Sequence, residues 1–586
     1  MYRQAAASRT LSVMDAKGLR QILPLLLAAP AAACSGDDGS TGGATGTGTI
    51  TATGTITATG TGASTGDATS DATGTTAATG TAGTTTDATG TTDATGSTGA
   101  VTTGPPLFDV GVGTGGTGGE PPNLCKVNEG GNAGIPCREK APPDAFSPVL
   151  QWGWMGDGSY RHSIVAPMVA NLTDDNDDGE IDLCDVPDVV VVVNAQGLCD
   201  PARIYVLDGA TGTVHFHIEG PFARASTPAI GDVDGDGLPE IVAQSDAGSC
   251  NGPSVSVFEH DGTLKWKTNA GIPFNEHAVA LADLDNDGDV EIMIDRVVLD
   301  HLGNVLFTAP DNQSIIWTTT TAADLDGDMD LEVVVGRSAW HHDGSQYYFN
   351  QNAAPGQPAV ADLDGDMLPE VLVIEQQGFT VYEHDGTVKY PSQNPTGDTD
   401  WRRPAAVHDL DGDDAAEFAV SSRNNYSSFE GDTTKNWSAS VLDSSGLASG
   451  TAFDFLGDGV AEALYADETT LWGFDGTTGQ AVFQAPRRSI TIVEFPVVVD
   501  VDNDGSAEIV VVSNNGPADE PTVRVYRDAE DRWIQARRIW NQHTYHVTNV
   551  REDGTIPQFE TPHWTLLNTF RTNAQIEGGQ VCKPEG

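Results

Sequence analysis

Apolar and polar residues alternate with a period of two along most of the chain after residue 146. In residues 358–390 the segments PAVADL, EVLVI, FTVYEHDG and TVKY have the pattern of four short strands. The last two are joined by Asp385-Gly386, a dipeptide typical of two-residue hairpin turns. Asp-Gly turns recur at residues 208, 261, 343 and 475, and helical periodicity is absent from these units. The pattern predicts an all-β fold built from repeated four-stranded antiparallel units.

A short acidic loop lies between the first and second strands of each unit. The clearest, residues 232–242, reads DVDGDGLPEIV, with carboxylates at positions 1, 3, 5 and 9 and glycine at position 6. Ca²⁺ prefers six to eight oxygen ligands at about 2.3–2.6 Å, which such a loop can supply, and Gly237 permits a positive-φ turn. Similar loops start at residues 174, 283, 324, 362, 409, 454 and 500. The spacing of about 47 residues is typical of solenoids, propellers and arrays.

Together the loop, the following strand and the period resemble FG-GAP (VCBS-type) repeats, the blade motif of the integrin α-subunit propeller. The resemblance covers residues 146–540. It implies an eight-bladed β-propeller, or a seven-bladed one if the first loop lies outside the ring. Propellers commonly complete one blade with strands from both termini. Residues 149–154, VLQWGW, resemble a fourth strand and are predicted to pair with the last blade.

In that family the DxDxDG loop holds Ca²⁺, so the resemblance implies about six to eight bound ions. Carried over by position, the implied ligands are the side chains at positions 1, 3, 5 and 9 of each loop, nearly all of which are acidic. They are Asp174, Asn176, Asp178 and Asp182; Asp232, Asp234, Asp236 and Glu240; Asp283, Asp285, Asp287 and Glu291; Asp324, Asp326, Asp328 and Glu332; Asp362, Asp364, Asp366 and Glu370; Asp409, Asp411, Asp413 and Glu417; Asp454, Asp458 and Glu462; and Asp500, Asp502, Asp504 and Glu508.

Three kinds of departure weaken the match. Leu456 replaces the second acid of the seventh loop. Met329, Met367 and Asp414 take the glycine position, which implies a changed turn or weaker binding. The first loop is followed by an insertion, so its last ligand is Asp182 or, alternatively, Asp185 or Asp188.

Charge and cysteines narrow the class of protein. The chain has 84 acidic and 29 basic side chains and a formal net charge of −55, which argues against nucleic-acid binding. Of seven cysteines, Cys34 belongs to the leader described below. The other six allow fifteen disulfide pairings, among which proximity favours Cys125–Cys137 and Cys184–Cys199, and these leave Cys250–Cys582 as the third pair.

The N-terminal part has the organisation of an anchored surface protein. Residues 1–34 have basic residues, an apolar run and LLLAAPAAAC, which resembles a bacterial lipobox and predicts lipidation of Cys34. Residues 35–119 are almost entirely Thr, Gly, Ala, Ser and Asp and are predicted to be a disordered stalk. Residues 120–145 form a disulfide-bearing lead-in. The expected location is the outer membrane or cell surface of a Gram-negative bacterium, with secretion as the alternative.

Residues 541–586 form a C-terminal segment rich in aromatic and amide side chains. His543 and His546 lack a third metal ligand in the sequence, so we expect the aromatic residues to cap the propeller and Arg537 and Arg538 to bond backbone carbonyls. Nucleophile-elbow, P-loop, HExxH and dinucleotide motifs are absent.

The sequence therefore favours a non-enzymatic adhesion or ligand-binding module for an extracellular protein or polysaccharide. The alternative implied by similar propellers is a Ca²⁺-dependent polysaccharide lyase, with a quinoprotein dehydrogenase as a weaker option.

Overall fold

The computed structural model describes residues 125–127, 135–195, 200, 202–247, 252–272, 276–313, 317–398, 400–445, 447–514, 516–517 and 519–584. The leader, Cys34 and the stalk lie outside these residues, as do Cys199 and Cys250. The described part is all-β apart from a short 3₁₀ helix at His563–Thr565. Among the described residues, no helix has the length and hydropathy needed to cross a membrane.

The strands form consecutive four-stranded antiparallel sets, here called modules. The first three consist of β3 to β6 (Met168–Ala170, Asp188–Asn194, Ala202–Asp208, Val214–Phe222), β7 to β10 (Ala229–Gly231, Glu240–Ser245, Ser254–Phe258, Leu264–Asn269) and β11 to β14 (Val279–Ala282, Glu291–Ile294, Val297–Leu299, Val305–Thr308). One residue pair, Phe222 with Ser245, links the first two modules into a single sheet.

The remaining modules repeat the plan. The fourth is β15 to β18 (Thr321–Ala323, Glu332–Val335, Ser338–Trp340, Gln346–Phe349) and the fifth β19 to β22 (Gly356–Ala361, Glu370–Glu375, Gly378–Tyr382, Val388–Gln393). The sixth is β23 to β26 (Ala406–His408, Glu417–Ser421, Asn425–Phe429, Lys435–Ser440) and the seventh β27 to β30 (Gly450–Phe453, Glu462–Ala466, Thr470–Asp475, Ala481–Pro486).

The eighth module confirms the predicted pairing of the two ends of the repeat region. It contains β31 (Val497–Val499), β32 (Glu508–Val512) and β33 (Val523–Asp528). Its fourth strand is β2 (Pro148–Trp154), which comes before the strands of all the other modules in the chain. β2 pairs antiparallel with β33, with Trp154 opposite Val523. The strand predicted from VLQWGW therefore completes the last module.

The modules pack side by side through buried strands. The second strand of every module is buried along its whole length, as in β4 (DVVVVVN), whereas fourth strands such as β10 are partly exposed. The inner strands are buried on both faces because each face is covered by a neighbouring module, so they form continuous apolar runs. One core cluster joins Val189 and Val191 of the first module to Val497 and Val499 of the eighth.

An aromatic residue on the fourth strand also connects neighbours. Phe216 of the first module packs on Gly262 in the hairpin turn of the second, and Trp266 of the second packs on Gly303 of the third. Trp152 of the eighth module packs in the same way on Gly212 of the first. The junction between the last and first modules therefore repeats the junctions between consecutive modules, and the fold is β-propeller-like.

Two disulfides tie the ends of the chain to this body, and both differ from the pairs predicted by proximity. Cys125 pairs with Cys184 and Cys137 with Cys582, with Cα–Cα distances of 4.8 and 5.0 Å. The second bond lies beside a small sheet of β1 (Ile135–Pro136), β34 (Ile576–Glu577) and β35 (Gln580–Lys583). Because β1 pairs parallel with β35, the fold brings together cysteines that are 445 residues apart.

Candidate metal centres

Seven of the eight acidic loops have the same position in their modules. In the second module Asp232 follows β7, and Glu240 opens β8 opposite Gly231. The position-1 acid therefore follows the first strand directly, and the position-9 glutamate begins the second. Since these two strands are paired, their register brings the two ends of the loop together. The sequence prediction that each loop joins strands one and two is confirmed.

The position-1 carboxylate is wrapped by its own loop. In the second module Gly235 N and Gly237 N donate to Asp232 Oδ1 and Oδ2 at 2.8 and 3.0 Å. The position-6 residue has positive φ in all eight loops, including Met329, Met367 and Asp414 with φ of 81°, 75° and 69°. The turn is thus unchanged where glycine is missing, at a cost of roughly 1–2 kcal/mol per residue.

The position-9 glutamate is fixed by a repeated hydrogen bond. Its Oε2 accepts the backbone N–H of the loop residue at position 2, at 2.7–3.2 Å. The donors are Val233, Leu284, Leu325, Leu363, Leu410, Phe455 and Val501. With Oε2 held by the backbone, Oε1 is the atom left to meet another partner.

Several carboxylate oxygens in these loops are buried and have no hydrogen-bond partner among the described residues. They belong to the third, sixth and eighth loops: Asp283 Oδ1, Asp411 Oδ1, Glu417 Oε1, Asp500 Oδ1, Asp502 Oδ1 and Glu508 Oε1. A buried carboxylate oxygen without a partner is costly unless a cation compensates it. The donor sets of these three loops therefore fit a hard divalent cation.

Burial also raises the pKa of these acids. Desolvation raises the pKa of both Glu291 and Glu417 to about 8, and neighbouring loop aspartates add to the effect. The pKa of Asp500 rises to about 8 for the same main reason. Without a cation, each of these groups favours its neutral form, so metal binding must compete with protons near neutral pH.

A cationic side chain of the protein already meets Oε1 in two other loops. Lys265 Nζ lies 3.0 Å from Glu240 Oε1 and also pairs with Asp234 Oδ2. In the fifth module Lys389 Nζ lies 2.7 Å from both Glu370 Oε1 and Asp364 Oδ2. The two ammonium groups contact the carboxylates at positions 3 and 9, which the sequence assigns to metal.

These lysines occupy one repeated position, the residue before the aromatic on the fourth strand. In the eighth module that residue is Gln151, whose Nε2 donates to Asp502 Oδ2 at 2.7 Å, and in the third it is Leu306. The sequence interpretation missed this position. In the sequence this position can be recognised as the third residue after the glycine of the Asp-Gly turn. The alternation of apolar and polar residues does not show, however, that its side chain contacts the acidic loop.

Histidines approach two more loops. His341 Nδ1 lies 2.8 Å from Glu332 Oε1 in the fourth module, a contact that the sequence did not reveal. In the first module His215 Nε2 lies 3.3 Å from Asp188 Oδ1. His215 occupies the repeated position on the fourth strand, whereas His341 lies in the turn between the third and fourth strands. The repeated position therefore carries a lysine, a histidine, an amide or an apolar residue in different modules.

The first loop differs from the others in the acid that opens the second strand. Asp188, rather than Asp182, opens the second strand, and its Oδ2 accepts Leu172 N as the glutamates do in other modules. Asp185 accepts the amides of Asp175 and Asp182 at 3.0 and 2.9 Å. The insertion lengthens the loop, so the acid equivalent to position 9 comes later in the chain. Of the alternatives, Asp188 has the equivalent place.

The seventh loop keeps the common backbone in spite of Leu456. Gly459 N donates to Asp454 Oδ2 at 2.8 Å, as in the other loops. The carbonyl of Leu456 accepts the N–H of Ala141 from the lead-in at 2.8 Å. The loop thus lacks one carboxylate but makes a contact that fixes the N-terminal lead-in.

Residues 537–573, here called the central segment, contact the first strand of all eight modules or a residue next to it. The contacts, in module order, are Trp540 with Val169, Asn541 O with Ile230 N, Gln542 Oε1 with Leu281 N, Thr544 Oγ1 with Thr320 O, His563 Nε2 with Val360 O, Phe570 with Val407, Arg571 O with Thr451 Oγ1, and Asn573 Nδ2 with Val498 O. The segment therefore lies among the first strands rather than capping the modules.

Buried arginines hold this segment by the predicted bonds to carbonyls. Arg537 donates to the carbonyls of Val547 and Val550 at 2.7 and 2.6 Å, and Arg538 donates to the carbonyl of Leu183 at 2.8 Å. Arg571 donates to carbonyls of the fifth and sixth modules. The arginines of the central segment thus satisfy backbone groups.

The two histidines considered in the sequence have different surroundings. His543 is buried against Phe495, and burial holds its pKa well below the ordinary value. His546 Nε2 lies 2.6 Å from Glu560 Oε1, and the ring of His563 lies 4.5 Å from that of His546 at an interplanar angle of 43°. His546 therefore has two potential ligand neighbours that the sequence spacing did not indicate.

Comparison with known proteins gives one family match and a set of similar folds. Residues 232–294 and 362–420 match the model of the FG-GAP-like repeat. The crystal structure of the V. cholerae biofilm matrix protein Bap1 is 21% identical with a TM-score of 0.66, and the match covers 75% of this chain and 100% of that one.

Two lyase structures are more distant. The exotype rhamnogalacturonan lyase YesX is 16% identical with a TM-score of 0.49, over 77% of this chain and 84% of that one. Bacillus licheniformis rhamnogalacturonan lyase PL11 is 18% identical with a TM-score of 0.45, over 78% and 82%. No curated protein matches the chain. The chain thus contains FG-GAP-like repeats, in two stretches of a β-propeller-like fold.

Proposed function

We propose that this protein is a Ca²⁺-stiffened eight-bladed β-propeller that acts as a non-enzymatic binding module outside the cell. The observation that carries the proposal is the central segment, which contacts the first strand region of all eight modules. Eight modules around one segment correspond to eight blades around a filled centre.

Calcium is the cation that the acidic loops fit best. The unpartnered oxygens of the third, sixth and eighth loops are all carboxylate oxygens, the ligand type that hard cations prefer. In the eighth loop Asp500, Asp502, Asp504 and Glu508 would hold the ion. A bound Ca²⁺ supplies positive charge that offsets the repulsion among these acids. The protein itself fixes their positions through the bonds to Gly505 N and Val501 N.

The filled centre favours binding over lyase chemistry. A polysaccharide lyase built on such a propeller would need a cluster of Lys, Arg or His at the mouth of a central channel. Here Arg537, Arg538 and Arg571 are buried and donate to backbone carbonyls. These guanidinium groups therefore have structural partners in place of an exposed substrate carboxylate.

A cavity of about 550 Å³ offers a place for ligand contact. It is lined by the fifth, sixth and seventh acidic loops and by residues 564–569 of the central segment, among them Trp564, Leu566 and Leu567. Its size is in the range of binding pockets. Because the sixth loop, whose donor set fits Ca²⁺, forms part of its wall, ligand binding there would depend on the occupancy of that loop by Ca²⁺.

Surface display is the other half of the proposal. The lipobox-like LLLAAPAAAC would place a lipid on Cys34, and residues 35–119 would serve as the spacer to the binding module. Such display would be compatible with a role outside the cell, and the similarity in fold to the biofilm matrix protein Bap1 supports this part of the proposal. Mass spectrometry of the mature N-terminus should find a diacylated Cys34, and a free N-terminus at another residue would contradict the anchor.

The function is tested by a glycan and matrix-protein binding screen on the full chain, with and without Ca²⁺. We expect saturable binding that is lost on chelation and regained with Ca²⁺, and no release of unsaturated uronic-acid products by ultraviolet absorbance. Product release would overturn the non-enzymatic proposal. Binding and melting curves that are both unchanged by chelation would overturn the calcium proposal.

A further inference from the structure

The central segment brings together two histidines and a glutamate that lie apart in the sequence. One ligand atom from each of His546, Glu560 and His563 lies within 4.8 Å of the other two, and His546 Nε2 is 2.6 Å from Glu560 Oε1. His546 and His563 are 2% and 1% exposed, and the Glu560 side chain is 8% exposed. The fold thus collects two imidazoles and one carboxylate in a shielded place.

The hydrogen bonds of the two rings decide which nitrogen faces the group. His546 Nδ1 lies 3.1 Å from the carbonyl of Thr544, and His563 Nε2 lies 2.9 Å from the carbonyl of Val360. A carbonyl oxygen only accepts, so each of these nitrogens carries the hydrogen. The other nitrogen of His546, Nε2, meets Glu560 Oε1 at 2.6 Å, and the other nitrogen of His563, Nδ1, would offer its lone pair to a metal.

The surroundings hold the three groups in place. The ring of His546 stacks on Phe570 at 5.5 Å with an interplanar angle of 10°, and the two imidazole centroids are 4.5 Å apart. Thr548 Oγ1 donates to Glu560 Oε1 at 3.0 Å. Metal-binding histidines commonly donate their second N–H to a carbonyl, and metal-binding carboxylates are themselves hydrogen-bonded. The group has both features.

We propose that His546, Glu560 and His563 form a site for a divalent transition metal, with Zn²⁺ as its best-fitting ion. Two imidazole nitrogens and one carboxylate oxygen, with no thiolate, are a donor set that suits Zn²⁺ and differs from the all-oxygen loops that suit Ca²⁺. Three protein ligands leave one tetrahedral position for water or a ligand. The metal would take the place of the proton now shared between His546 Nε2 and Glu560 Oε1.

Metal at this site would link parts of the chain that are far apart in sequence. His563 opens the 3₁₀ helix and bonds Val360 in the first strand of the fifth module, and Thr544, beside His546, bonds Thr320 next to the first strand of the fourth. The ion would therefore fix the central segment at the junction of these two modules. This role is independent of the acidic loops.

The test uses the untagged full chain, stripped with a zinc chelator and dialysed against one equivalent of Zn²⁺ in millimolar Ca²⁺. Bound zinc is counted by mass spectrometry after gel filtration. We expect one ion per chain in the wild type and near zero in Glu560→Gln and in His563→Gln. His408→Gln is the control, because His408 is a half-buried histidine near the central segment whose Nδ1 is 3.1 Å from Thr572 Oγ1 and which does not belong to the group.

Co²⁺ substitution gives a second readout, since four-coordinate cobalt with nitrogen ligands absorbs visibly and should lose its bands in Glu560→Gln. Circular dichroism and melting curves establish which variants fold. If His563→Gln does not fold, Glu560→Gln still decides the test. A wild type without zinc means that the group is an imidazolium–carboxylate pair and overturns the proposal. Equal zinc in all variants places the ion elsewhere and overturns it too, whereas the calcium count tests the acidic loops separately.

Discussion

Replacing Lys265 by methionine is expected to add one calcium ion to the chain. In the second loop the lysine ammonium holds Glu240 Oε1 at 3.0 Å and pairs with Asp234, so it neutralises the carboxylates that a cation would need. Methionine keeps the length of the apolar stem but removes the charge. The freed oxygens then resemble the unpartnered ones of the third, sixth and eighth loops.

The size of the effect on the unfolding free energy depends on calcium. In chelator, Lys265→Met leaves Glu240 buried without its partner, and breaking a buried ion pair costs about 3–5 kcal/mol of unfolding free energy. With free Ca²⁺ at 100 times the dissociation constant, the new site returns about 2.7 kcal/mol. The variant should therefore be clearly weaker than the wild type in chelator and close to it in excess Ca²⁺.

The assay is the number of ions bound at equilibrium dialysis, with urea unfolding measured in parallel. Lys389→Met should behave in the same way, and the double variant should gain two ions. Lys267→Met is the control, since Lys267 lies on the same strand but pairs with Asp246 outside the loop. Leu306→Lys is the converse change, because it places an ammonium at the equivalent position of the third module and should remove one ion.

An unchanged ion count in Lys265→Met and in Leu306→Lys would refute the reasoning. It would mean that the ammonium and a calcium ion share the loop, with the lysine bonded only to the outer carboxylate oxygens. A wild type that binds no calcium would instead refute the calcium proposal itself. The two failures are therefore distinguishable.

Three further outcomes are expected. Trp152→Phe should lower the unfolding free energy by about 1–3 kcal/mol, since it removes the 2.7 Å bond to the carbonyl of Gly209. Trp437→Phe removes the equivalent bond to the carbonyl of Gly476 and should lower the unfolding free energy by the same amount. If Trp152→Phe left the unfolding free energy unchanged, this would argue against closure of the ring of modules between the eighth and the first. Replacing both Cys137 and Cys582 by serine removes their disulfide and should lower the unfolding free energy by about 2–5 kcal/mol, which thermal melts would measure. An unchanged melting temperature would show that the disulfide does not stabilise the fold. In chelator, stability should fall as the pH rises from about 5 to 8, because the folded state keeps protons on glutamates with pKa of about 8 that the unfolded chain has already released. Excess Ca²⁺ should abolish that trend in melts across the pH range, and a flat profile in chelator would contradict the assigned burial.

Local features of the fold were accessible from the sequence. Alternation with period two, Asp-Gly turns and the acidic motif predicted the four-stranded units, and the loops lie between strands one and two as expected. The pairing of residues 149–154 with the last module was also predicted, because its pattern matches a fourth strand. These features depend on residues within one repeat, where spacing along the chain determines spacing in space.

Tertiary structure decided whatever depends on residues from different parts of the chain. Proximity gave the wrong partners for Cys125 and Cys137, since the lead-in runs back to the first loop and to the C-terminus. The motif assigned the second and eighth loops the same ligands, but Lys265 reaches the one and Gln151 the other. Glu560 and His563 come next to His546 only through the path of the central segment. Each of these contacts depends on which strand or segment lies beside the residue in the folded chain. The alternation of apolar and polar residues does not encode that arrangement.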